Sequence, residues 1–400
     1  MANPSAPATN SPLAVCLAGA LGLAVAMGIG RFAFTPLLPL MIQRGQLDVA
    51  LGGWLAAANY VGYLAGAMTA FRVPLTPPRL GLAALLLTAA LTAAMALPGP
   101  PALWLALRFL AGVCSAWAFV SIGVSCLSAL ARLQRPSLGG GMYAGVGVGI
   151  AAAGLCCLFG AWGGLAAPVL WLALGLLALV LALPAFAVMA RLHAEEAARP
   201  APAGPAARGT RAIILCYGLL GFGYILPATF LPVMARSVVS DPRLFGLAWP
   251  VFGLTAALST VLAGRVLRHV SRMRVWAVSN LIMGMGALLP SLWLNGWTIA
   301  LSALFVGGTF MVVTLAGVQE IRARAVGDPT RLVGRLVAAF ALGQIAGPVA
   351  STLLLHAPAV GARGLDLALQ AAAAALLGSA GWLWRQTHPS SIHQEISHAP

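Results

Sequence analysis

The chain has 400 residues, of which 60% are hydrophobic and only 8% charged, with a mean hydropathy of +0.94. A soluble domain carries about 25% charged residues, so this composition excludes a water-soluble globular protein and indicates a polytopic membrane protein. The formal net charge of +15 comes from arginine without a single lysine, and the arginines cluster in alternate short loops as membrane topology requires, which argues against nucleic acid as a partner.

Met1 to Pro12 is polar, carries no positive charge and does not read as a cleaved signal. Twelve apolar runs follow, at roughly 13–42, 50–73, 79–98, 102–131, 138–162, 166–190, 212–235, 244–268, 273–294, 297–321, 332–356 and 364–384. Each is long enough to cross a bilayer as a helix, which needs about 20 residues. The first holds Gly28-Ile29-Gly30-Arg31-Phe32-Ala33-Phe34-Thr35-Pro36-Leu37-Leu38-Pro39. Arg31 lies about 27 Å along that helix at about 1.5 Å per residue. A charge at that depth costs roughly 2.5–3.5 kcal/mol on insertion scales and faces a bundle interior or a wet cavity. Gly28 and Gly30 before it, and Pro36 and Pro39 after it, are expected to let the helix bend.

The same pattern returns 193 residues later: Gly28, Gly30, Leu38, Pro39, Met41, Asp48 and Gly53 align without a gap on Gly221, Gly223, Leu231, Pro232, Met234, Asp241 and Gly246. Arg31 falls on Tyr224. These identities read as an internal duplication in parallel orientation. The second run has Asn59 and Tyr63 one turn apart, with Gly62 and Gly66 in a GxxxG. The fourth has Arg108, Gly112, Ser115, Ser121 and Ser125; the fifth has Gly141, Gly145 and Gly149 with Tyr143. The seventh carries Pro227 and Pro232, the tenth Thr309, Thr314 and Gln319-Glu320, and the eleventh Gly343-Gln344-Ile345-Ala346-Gly347-Pro348. The third, sixth, ninth and twelfth runs are mostly Leu and Ala. A polar inner set and a bland outer set of helices is what a central cavity would produce.

His193 to Thr210, with Glu195-Glu196 and a Pro-rich tract, is the longest non-apolar stretch between runs. The expected organisation is an N-terminal tail (1–12), a six-helix bundle (13–192), a cytoplasmic linker (193–210), a second six-helix bundle (211–385) and a tail (386–400) whose His388, His393 and His398 are too scattered for a metal site. With a cytoplasmic N-terminus, seventeen arginines fall in inner loops and tails and four in outer loops, and both termini are cytoplasmic. Trp104, Trp293 and Trp297 fall at outer ends, where amphipathic rings prefer to sit. The six cysteines lie in apolar runs without metal-ligand spacing and read as packing residues.

The two-half, twelve-span plan resembles the major facilitator superfamily. Four stretches are similar to its YbfB/YjiJ group of bacterial transporters: 28–39, 221–230, 307–314 and 340–348. The resemblance implies an all-α membrane protein with twelve helices in two pseudo-symmetric six-helix bundles, acting as a secondary transporter in a bacterial inner membrane. Arg108 with Gly112 resembles the superfamily's fourth-helix Arg-x-x-x-Gly motif linked to proton coupling, although Cys114 replaces the next glycine. The superfamily's loop motif after the second span is replaced by Phe71 to Arg79. A degenerate copy survives as Gly264 to Arg272, with Arg268 where the acid would be.

The residues and the resemblance together give a set of expectations. The protein moves a small organic solute, an anion by the reading of Arg31 and Arg108, which lack any acid at mid-membrane depth. Arg31, Thr35, Asn59, Tyr63, Arg108, Tyr143, Tyr224, Thr309 and Gln344 are the expected substrate-binding residues. Tyr224 is expected to face Arg31 and donate a phenolic hydrogen bond. The rival for Arg31 is a structural one, capping helix carbonyls at the proline break. Glu320 is the one candidate for a coupling group, against a surface pairing with Arg322 or Arg324. Gly28, Gly30, Pro36, Pro39, Gly145, Gly149, Pro227, Pro232, Gly343, Gly347 and Pro348 are the expected hinge and packing positions. Proton-coupled efflux of amphipathic drug-like compounds and a non-transporting sensor or scaffold remain alternatives. No catalytic carboxylate or histidine cluster and no nucleotide-binding glycine loop is present in the sequence, so neither an enzyme nor ATP drive is expected. No cofactor or metal is expected; the partners are a small-molecule substrate and the lipid bilayer, and the chain is expected to be a monomer.

Overall fold

The computed structural model describes residues 11–197, 209–238, 242–356 and 363–387. Helix α1 (Pro12–Leu23) passes through a π-helical segment, Ala24–Ile29, and a turn into α2 (Phe34–Gln43). Then come α3 (Val49–Thr69), α4 (Pro77–Ala94), α5 (Pro101–Arg132), α6 (Gly139–Trp162) and α7 (Ala167–Ala197). The remaining helices are α8 (Thr210–Val238), α9 (Pro242–Val266), α10 (Arg272–Leu292), α11 (Gly296–Ala323), α12 (Thr330–His356) and α13 (Gly364–Arg385). With α1 and α2 counted as one broken crossing, these are the twelve spans expected. Helix α7 runs to Ala197, so Glu195 and Glu196 are helical. The rest of the expected linker up to residue 208, the first ten residues and the histidine tail from residue 388 lie outside the described residues.

Eleven of these crossings are long and apolar enough for a bilayer by composition. Helix α3 is diluted by Trp54, Asn59, Tyr60, Tyr63 and its glycines, and takes its place in the bundle through its neighbours. The helices pair in the same pattern twice. The packed pairs α1–α6, α3–α5, α4–α5 and α4–α7 have their counterparts in α8–α12, α9–α11, α10–α11 and α10–α13. This is the two-fold arrangement that the 193-residue repeat anticipates. The halves meet along α6–α9 and α3–α12.

Close approach sets these seams. A Cβ on Gly28 would collide with the backbone of Gly149, and one on Gly140 with the backbone of Gly264 across the halves. Only glycine lets two helix backbones come so near. Gly145, Gly343 and Gly347 likewise sit against α1 or α8. In the first half the inner and outer sets appear, the most apolar stretch of α5 being 89% buried and that of α7 only 39%, whereas in the second half burial does not separate them, with 44% for α9 and 56% for α10.

The break in the first crossing lies upstream of the prolines, not at them. Pro36 has no N–H to give the Phe32 carbonyl, and its ring would strike that carbonyl in a continuous helix. The helix therefore restarts at Phe34, which places Pro36 in the first turn, where no intrahelical donor is required. Before the restart the chain widens: Gly30 N–H bonds the Val25 carbonyl at 2.8 Å and Phe32 N–H the Met27 carbonyl at 3.1 Å, both five residues back. Pro39 and Pro348 are tolerated inside α2 and α12, and Pro227 is buried in α8. Pro232 is helical, its side chain being outside the described set.

Trp104 sits in the first turn of α5, at the end of its span, but does not present its ring to the surroundings. It is buried, and its indole N–H donates to the Leu97 carbonyl at 3.1 Å, whereas Trp293 and Trp297 are largely exposed. All six cysteines are free thiols, and all but Cys156 are buried.

Candidate functional site

The broken first crossing brings two arginines into the bundle centre, each about 3% exposed. Widening and restarting the helix leaves the Gly30 and Arg31 carbonyls without their usual donors. The Arg108 guanidinium reaches them from α5, donating through Nη1 to Gly30 and Nη2 to Arg31, each at 3.3 Å. Arg108 also lies over the Phe34 ring, 4.7 Å from its centroid. Thus the carbonyl-capping role weighed for Arg31 belongs to Arg108. Asn59 supports this arrangement by donating its amide to the Arg108 carbonyl at 3.0 Å, so it ties α3 to α5.

Arg31 is placed differently. Its guanidinium stacks on Tyr63, 3.8 Å from the ring centroid, and is flanked by Tyr60 and Phe32 at 5.6 Å each. One arm, Nη2, donates to the amide oxygen of Gln344 on α12, in the opposite half. Its Nε and Nη1 are buried and without a partner among the described residues, as is the Gln344 Nε2. Among the described residues neither Arg31 nor Arg108 makes an ion pair.

The facing wall is aromatic. Trp249 and Phe252 on α9 are stacked at 5.4 Å, Phe252 and Phe310 at 6.0 Å, Phe310 and Tyr224 at 4.7 Å with 18° between planes, and Tyr224 and Phe340 at 6.2 Å. Phe340 continues to Tyr217 at 5.5 Å, and Tyr217 to Trp276 at 5.8 Å. The column crosses the second half of the bundle and meets the first through Phe32, whose ring lies 6.2 Å from Phe310 and 6.3 Å from Trp249. Between the halves remains a cavity of about 10 Å³, lined by Met27, Tyr63, Phe119, Tyr217, Phe310, Met311, Thr314, Val337 and Phe340. That is room for about one water, so between these residues the two walls are closed upon each other.

The structure thus brings Arg31, Tyr63, Tyr224 and Gln344 together at the interface of the halves. Tyr224 faces the first half as a stacked ring, and it is the Gln344 amide oxygen of the same half that accepts from Arg31. Thr309 turns its hydroxyl to the Phe305 carbonyl on its own helix, and Thr35 lies half-buried in the first turn of α2. Tyr143, near the start of α6, packs edge-on at 5.8 Å against Phe119, which lines the cavity. The sequence reading favoured polar residues for the lining and passed over Tyr60, Tyr217, Trp249, Phe252, Phe310 and Phe340. A signal was present in Tyr217 and Tyr224, seven apart, and in Trp249 and Phe252, three apart, each pair on one helix face.

At the arginine-rich end a second set of polar contacts closes the halves. Arg322 of α11 donates Nη2 to the Ser128 hydroxyl of α5 at 2.8 Å, and Arg268 donates to Ser137 at 2.7 Å. Glu320, the coupling candidate, has both oxygens engaged, with Arg272 at 3.0 Å and Arg324 at 2.9 Å. Arg322, one of its two expected partners, is instead the clasp to Ser128.

The sequence pattern of a protein family described as the uncharacterised MFS-type transporter YbfB matches residues 23–382. Among solved structures, that of the human organic anion transporter MFSD10 (TETRAN) superposes with a TM-score of 0.71 at 17% identity, covering 94% of this chain and 100% of that one. At that identity the likeness establishes the fold. No curated protein matches the chain.

Proposed function

The chain belongs to the YbfB family of uncharacterised MFS-type transporters, and from that premise we propose that it carries a small organic anion across the membrane by alternating access, with the anion's carboxylate held at Arg31. The observation that carries this reading is the state of the Arg31 guanidinium: buried, with Nε and Nη1 unpartnered among the described residues and one arm given to a neutral amide oxygen across the interface. A buried charge without a counter-charge is costly. A substrate carboxylate would accept two of these donors in a fork and supply the missing negative charge. The Gln344 oxygen occupies one of those acceptor positions in the closed form. Exchange of Gln344 for a carboxylate would then link occupancy to the contact between halves, which rock about the site.

The human structural relative is described as an organic anion transporter; the present reading rests on Arg31 rather than on that description. A bacterial inner membrane with both termini cytoplasmic is the setting we propose, from the arginine asymmetry. Proton coupling, where it occurs, would use a group other than Glu320, whose carboxylate is held by two arginines.

The test is ligand-induced thermal stabilisation of the purified protein against carboxylates, amines and neutral sugars. Carboxylates should stabilise the wild type. Arg31→Lys keeps the charge but loses the fork, so its response should be weak, and Arg31→Ala should give none. If an amine or a neutral sugar stabilises the wild type and no carboxylate does, the reading is wrong.

A further inference from the structure

Resting on the anion reading, we infer that the transported carboxylate bears a flat aromatic body, which the opened cavity holds between two walls of rings while Arg31 holds the acid. The walls come from opposite halves: Tyr63 and Phe119 on one side, Tyr217, Phe310 and Phe340 on the other. In the closed form they leave about 10 Å³ between them, too little for any ring. When the halves separate, the space created is bounded by these rings. In the second-half wall the rings are already held nearly parallel to one another, Phe310 within 18° of Tyr224 and 25° of Phe252, and Phe340 within 28° of Tyr224, whereas Phe32 of the first half meets Phe310 edge-on at 82°. Offset stacking at such separations is the arrangement aromatic pairs prefer.

The polar inventory of this cavity points the same way. Thr314 already donates its hydroxyl to the Phe310 carbonyl at 2.9 Å, and the rest of the lining is apolar apart from the two tyrosine hydroxyls. A polyol or sugar acid would bury hydroxyls with few partners there. A saturated chain would fill the volume but make no stacked contact. Arg31, stacked at 3.8 Å on Tyr63, stands at the edge of this chamber, so one small molecule would span the fork and the rings together.

The experiment compares ligands matched in size, using wild-type protein and thermal stabilisation. Phenylacetate and 2-naphthoate are set against cyclohexylacetate, hexanoate and gluconate, with 2-phenylethanol as the uncharged aromatic. The aromatic carboxylates should reach half-maximal stabilisation at a concentration at least tenfold below that of cyclohexylacetate. Gluconate and 2-phenylethanol should give no response. Phe310→Leu and, separately, Phe340→Leu should erase the difference between phenyl and cyclohexyl while leaving a response to cyclohexylacetate. Equal responses to phenylacetate and cyclohexylacetate in the wild type overturn the aromatic inference and leave the anion reading standing. A response to 2-phenylethanol equal to that of phenylacetate overturns the anion reading. Because the ligand series is decided on the wild type, failure of a variant to fold does not protect the inference.

Discussion

A guanidinium buried in a membrane bundle is tolerated to the extent that its donors find acceptors. Arg108 finds two, the carbonyls freed where the first crossing breaks, and leaves Nε without a partner among the described residues, while Arg31 leaves both Nε and Nη1. Their substitutions should therefore differ in sign. Arg108→Leu orphans both carbonyls, and each unsatisfied buried group costs about 1–3 kcal/mol; thermal unfolding should move clearly downward. Arg31→Met removes an uncompensated charge and fills its space with apolar atoms, so unfolding should stay level or move upward while the carboxylate response disappears. A large loss of stability in Arg31→Met, with Arg108→Leu near wild type, would reverse the two roles.

At the scale of the helices, the broken crossing is the element that makes the site. Pro36 compels the restart at Phe34, the π segment takes up the surplus turn, and Gly28 lets the widened helix lie on Gly149. The opposite end is governed by α5 and α11, joined by the bond from Arg322 to Ser128 at 2.8 Å. This bond must part for the arginine-rich end to open. Ser128→Ala should shift the equilibrium towards that opening. In a cysteine-free background carrying Q319C, the impermeant maleimide should label several-fold faster in Ser128→Ala when that end is exposed to reagent. Unchanged labelling would show that the clasp does not hold the gate.

For the whole molecule, the two halves share one packing pattern but differ in what they offer the interface. The first half supplies the cation and its cage, the second the aromatic column and Gln344. The 193-residue repeat places Arg31 opposite Tyr224, so a duplicated scaffold holds unlike groups at equivalent positions. The arginine asymmetry of seventeen to four predicts the orientation. Reporter fusions at Ala203 and after Pro400 should both read cytoplasmic, and a periplasmic reading at either point would overturn the topology.

The sequence by itself determined the number of crossings, the duplication and the glycine positions where helices approach. These depend on apolar run length and on spacing within single helices, which a linear chain displays. It did not determine which arginine would cap the broken helix. That choice depends on the Gly30 and Arg31 carbonyls freed at the break in the helix and on how α5 lies across them, 77 and 78 residues away. Nor did it disclose the aromatic wall, since Phe and Trp in a membrane run serve lipid contact and core packing alike, and only neighbours distinguish the uses. The pairing of Arg31 with Gln344 spans 313 residues. Only the closing of one half upon the other brings them together, and so it is the tertiary structure that turns a buried charge into a candidate site.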